Sequence, residues 1–66
     1  MSKTELVDVV AMGSKDKIVL WVEKEVYREM AEEIVRIGNK RNDDRLYVLA
    51  PCGRYAKNDR YVAGDE

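Results

Sequence analysis

The chain has 66 residues, a net charge of −1, 38% charged and 45% hydrophobic residues, and no histidine. A chain this short makes one domain, 1–66, with a marginal core. Its single cysteine, Cys52, excludes an intramolecular disulfide and a structural zinc site. The remaining common route to extra stability is association, so a homodimer is expected.

Residues 5–12, "ELVDVVAM", are Val-rich and alternate, and they predict a first strand. "GSKD" at 13–16 is turn chemistry, with Gly13 and Asp16 both tolerant of positive φ. "KIVLWV" at 17–22 predicts a second strand, closing a hairpin. Both faces of "IVLWV" are apolar, so this strand is expected to be buried on both sides.

Residues 23–38 predict an amphipathic helix. On a helical wheel, Val26, Tyr27, Met30, Ala31, Ile34, Val35 and Ile37 share one half, and Glu25, Arg28, Glu29, Glu32, Glu33 and Arg36 fill the other. Arg28–Glu32 and Glu32–Arg36 are i,i+4 pairs, and Gly38 reads as the C-terminal stop. The apolar face is wide enough to pack on a sheet and on a second body.

"NKRNDD" at 39–44 predicts a loop. "RLYVLA" at 45–50 reads as a strand, with a short helix capped by Asp43 as the alternative. "APCG" predicts a turn with Pro51 at its second position. Residues 54–62 are expected to return as an edge strand, and "AGDE" at the end to be disordered, leaving order over about 5–62. The expected fold is therefore α+β, a small ββαβ(β) domain around one helix, as an intertwined homodimer.

Chemistry is mostly excluded. Without histidine there is no Ser-His-Asp triad or Cys-His pair. No Gly-rich phosphate loop is present, and adjacent carboxylates such as Glu32–Glu33 do not face each other on a helix. Asp43–Asp44 would need further oxygen ligands to hold a divalent ion. No catalytic residue, metal or cofactor is expected, and the chain reads as a non-enzyme. The Arg-Tyr pairs at 54–55 and 60–61 either stack on a base or, the reading favoured here, cover the core edge with their rings. No apolar run exceeds five residues, Ile18–Val22, so no membrane span or signal core is expected. A cytoplasmic protein is expected, with a Glu/Lys/Arg/Val bias like that of thermophiles.

"MGSKDKIV" followed by "KEVYREM", and then "DDRLYVLA", resembles the AbrB/SpoVT-type swapped-hairpin DNA-binding domains. In that pattern a strand ending near "GSKGQ" leads into "IVIPKEVREKL" and a later "GDRLxV" strand. Gly13, Ser14, Lys15, Ile18, Val19, Lys24, Glu25, Val26 and Arg28 fit it. Trp21-Val22 stand where the family has proline, and Asp16 where it has glycine. The resemblance implies a homodimer with interleaved hairpins that binds double-stranded DNA and regulates transcription. It implies phosphate contacts from Lys15, Lys17 and Arg28; the basic pair Lys40 and Arg41 reads as a second patch. Ile18, Leu20, Trp21, Met30 and Ile34 are the expected dimer interface.

A ribbon-helix-helix dimer is the rival fold and would need "DDRLYVLA" as its second helix. A protein-interaction module, antitoxin-like or virally encoded, is the rival function. It would grip a protein partner with the apolar helix face.

Overall fold

The structure is a computed structural model and describes residues 5–62. Three strands, β1 (Leu6–Gly13), β2 (Val19–Tyr27) and β3 (Arg45–Ala50), and one helix, α1 (Arg28–Arg41), follow in the order ββαβ. The sheet is antiparallel throughout, in the order β2-β1-β3. The α+β class and the element order agree with the sequence reading. The expected disorder of "AGDE" lies outside the described residues. No helix among the described residues is long and apolar enough to cross a membrane.

β1 is central and buried on both faces. Val7, Val9 and Ala11 face α1 and form one core with Ala31 and Tyr47. Val10 and Met12 face the opposite way and form a second core with Val19, Ala50 and Tyr55. Strand periodicity assigns these two sets to opposite faces. Two core layers explain how so short a chain buries apolar surface without a disulfide or metal.

α1 begins five residues later than the helical pattern predicts. Glu23–Tyr27 extend β2 instead, pairing with β1 as far as Leu6↔Tyr27. The ladder is interrupted at Glu25, whose φ of 56° makes a bulge incompatible with a helix. The Asp8 carboxylate accepts the Glu25 N–H at 3.0 Å and fixes that bulge. The ladder then hands over to the helix, since the Arg28 N–H donates to the Glu5 carbonyl at 3.0 Å. Val26 and Tyr27 therefore belong to the strand and its end. Tertiary pairing has overridden local helix propensity.

Gly38 is not the stop. α1 runs on to Arg41, and Asn42 closes it by donating both its backbone and its side-chain N–H to the Gly38 carbonyl, at 3.0 and 3.1 Å. Gly38 serves packing instead: a Cβ there would lie 2.7 Å from the Tyr47 ring. That ring meets Trp21 edge-on, centroids 6.2 Å apart, across Ala11, which pairs with both residues. The helix ion pairs are Arg28–Glu32 and Glu33–Arg36, so Glu33 rather than Glu32 partners Arg36.

Residues 45–50 are a strand, so the second helix that a ribbon-helix-helix fold requires is not formed there. The turn after β3 is one residue later than expected. Arg54 N–H donates to the Pro51 carbonyl at 3.1 Å, with Gly53 at φ 78°, so Pro51 holds the first position. Residues 54–62 form no full strand. They make a single bridge, Ile18↔Arg60, and lie across the second core as an irregular tail. Tyr55 is buried and Tyr61 half-buried, their rings 5.4 Å apart, while Arg54 and Arg60 stay exposed. The Arg-Tyr pairs thus cover the core.

Candidate nucleic-acid interface

The fold sorts the five basic residues singled out above into two groups. β1 spans about 24 Å from Leu6 to Gly13, taking ~3.4 Å per residue. The Gly13 end carries the 14–17 turn, the last turn of α1, and the start of β3, where Gly13 pairs with Arg45. Lys15, Lys17, Lys40 and Arg41 therefore converge there, joined by Arg45. The Ser14 N–H donates to the Asp44 carbonyl at 3.2 Å and ties the turn to the loop before β3. Arg28 lies at the other end of the sheet, beside Leu6.

Arg28 is already occupied. Its Nε lies 3.2 Å from Glu5 Oε1, and Glu32 sits within 3.7 Å. The Glu5 hydrogen bond and charge, with help from Glu32, raise the guanidinium above its ordinary pKa. It does not join the other four candidates.

Lys17 is partly committed too. Its φ is 57°, so the left-handed residue of the turn is Lys17, not Gly13 or Asp16. Its ammonium donates to the Ser14 carbonyl at 2.7 Å. Asp16 accepts the Ile18 N–H at 3.0 Å, and its carboxylate lies so close to Gly13 that a Cβ there would push it aside. Lys15, Lys40, Arg41 and Arg45 are exposed, and none is ion-paired among the described residues. Asp16, Asp43 and Asp44 share this end and line a shallow recess with Lys15. Cations outnumber carboxylates, and α1 offers the negative end of its dipole, which favours Lys40 and Arg41 in the last turn.

The residues expected at a dimer seam divide in the same way. Leu20 (40%), Trp21 (37%) and Met30 (60%) are exposed. Ile34 packs against the core under α1, and Ile18 is half-buried beside Arg60. Burial of "IVLWV" on both faces therefore holds for Val19, which is fully buried, and not for Leu20 or Trp21.

Two structural residues escaped the sequence reading. Asp8 is buried, and its carboxylate joins the β2 bulge to the turn after β3 by accepting the Gly53 N–H at 2.9 Å. A lone acid inside a valine run was the available signal. Asn39, read as loop, lies in α1 and grips β3: its side chain donates to the Tyr47 carbonyl at 3.1 Å and accepts the Tyr47 N–H at 2.8 Å. Cys52 is exposed, but desolvation and the Asp8 carboxylate push its thiol pKa up, which disfavours the reactive thiolate.

Among known proteins, no family model, no curated protein and no solved structure matches this chain.

Proposed function

We propose that the protein is a small DNA-binding regulator that works in the cytoplasm as a homodimer, contacting phosphates through the Gly13 end. One observation carries this reading. Lys15, Lys40, Arg41 and Arg45 come from three separate elements, yet they gather at one end, exposed and without ion pairs among the described residues. Scattered solubility charges need no such convergence. Such contacts position a protein on a duplex without reading its sequence. Arg28, paired with Glu5, drops out of the contact set.

The test is a titration with duplex DNA followed by amide chemical shifts. At low salt the amides of Lys15, Lys40, Arg41 and Arg45 should move, while those around Arg28 stay. Four phosphate contacts per chain, eight per dimer, should give a log–log salt slope of about −7. Unmoved amides at the Gly13 end in low salt would overturn the reading.

A second reading has its own support. Met30 and Ile37 on α1, 60% and 40% exposed, suit a module that grips a protein partner. Shifts confined to Met30 and Ile37 on adding a protein partner would favour it.

A further inference from the structure

The sheet has two outer edges, and the chain closes one of them differently from the other. On β3, Asn39 takes both outward polar groups of Tyr47. On β2, the tail closes only the start. Val19 N–H donates to the Asp59 carbonyl at 2.8 Å, the Val19 carbonyl accepts the Asn58 N–H at 2.8 Å, and the Lys17 carbonyl accepts the Tyr61 N–H at 2.9 Å. From Leu20 onward, no described segment pairs with the outside of β2.

The ladder fixes which groups that open edge presents. In an antiparallel sheet, successive residues turn their polar groups alternately to either side. Tyr47 spends both of its groups on Asn39, away from β1, so Ala11 opposite it turns toward Trp21. Val10 then turns toward β3. Val22, opposite Val10, must point its N–H and C=O out of the sheet. It does so directly after Leu20 and Trp21, which are 40% and 37% exposed.

We propose that this edge pairs with the same edge of a second copy, antiparallel, on a two-fold axis through Val22. The open stretch is bounded by the tail at Val19, next to the extra residue Leu20 that the ladder leaves between Val19 and Trp21, and by the bulge at Glu25, where φ is 56°. Its midpoint is Val22. The tail on Val19 disfavours centres nearer the turn, and the charges disfavour those beyond Val22. Centred on Val22, Leu20 faces Lys24 and Trp21 faces Glu23, and no like charges meet. Centred on Glu23, two glutamates face each other; centred on Lys24, two lysines do and the pairing must cross the bulge. Directly opposed like charges destabilise a strand pair. The contact is isologous, so it closes at two copies and does not propagate.

The result is a six-stranded sheet with both helices on one face. Lys17 is five residues from the axis, which sets the two Gly13 ends about 34 Å apart at ~3.4 Å per residue, near one turn of B-DNA. That last consequence rests on the DNA reading; the pairing itself does not.

Light scattering on the full chain tests the pairing, with a two-chain mass expected. Leu20→Lys places a lysine opposite the partner's Lys24 twice per dimer, and should weaken it at least ~10-fold while the fold, read by circular dichroism, persists. Adding Lys24→Glu to Leu20→Lys should restore the dimer, since the pair becomes complementary. A one-chain mass for the wild-type protein overturns the proposal. So does a dimer indifferent to Leu20→Lys, or one that Lys24→Glu fails to rescue. A charge-rescued dimer that ignores duplex DNA upholds the pairing and overturns the DNA reading.

Discussion

The two faces of β1 are closed by different kinds of structure. Under α1, a regular element brings its own backbone hydrogen bonds and spreads its packing over Ala31, Ile34, Val35 and Gly38. Under the tail, an irregular segment must find partners for its backbone one at a time. It finds them at Asp8, Lys17 and Val19, and it anchors on Tyr55. The helical face is distributed, and the tail face hangs on a few points. Single substitutions should therefore cost more on the tail face.

The largest effect is expected at Tyr55. Its ring is buried, and its hydroxyl accepts the Val62 N–H at 3.2 Å. Tyr55→Ala should cost about 3–4 kcal/mol in urea denaturation, a large share of a small domain's stability. Tyr55→Phe keeps the ring and should cost only about 1 kcal/mol. An alanine variant within ~1 kcal/mol of wild type would show that the tail is not core, since buried aromatics cost about 3 or more.

Next comes Asp8, which joins the tail turn to the β2 bulge. Asp8→Ala leaves the Glu25 and Gly53 N–H groups without their acceptor. A loss of about 3 kcal/mol is expected from two orphaned donors. Heteronuclear NMR should show disturbance at both Glu25 and Gly53. Disturbance at one alone would mean that the two are not coupled through this carboxylate.

The smallest of the three belongs to the helical face. Gly38→Ala gains about 1 kcal/mol of helix propensity. It also drives a Cβ to 2.7 Å from the Tyr47 ring, which already meets Trp21 edge-on. Overpacking should win, for a net loss of about 1–2 kcal/mol. A net gain in the thermal midpoint would mean that the ring moves freely and that this face is loosely packed.

The same contrast explains what the sequence made legible. The apolar runs at 5–12 and 45–50 and the helical wheel beyond Arg28 carry their own periodicity, so their elements could be read directly. The tail has no period, and its role appears only once Tyr55 and Tyr61 are seen on the second core. The helix start was misread because "EKEVY" satisfies helix and strand patterns alike; the contact that decides it, Asp8 to Glu25, is 17 residues away. Of the candidate site, Lys15, Lys17, Lys40 and Arg41 do converge. Arg28 does not, because its alliance with Glu5 spans 23 residues and leaves no local trace.

Edges follow the same logic as faces. A helix side chain caps one at Tyr47, the tail half-seals the other, and the opening between tail and bulge is where we place the second copy. The amide of Val22 reports on that opening directly. With the protein concentrated, its hydrogen exchange should be as slow as that of the Asn58 amide, which the tail bond protects within one chain. On dilution, Val22 should speed up while Asn58 stays slow. Fast exchange at Val22 at every concentration, with Asn58 protected throughout, would contradict the account.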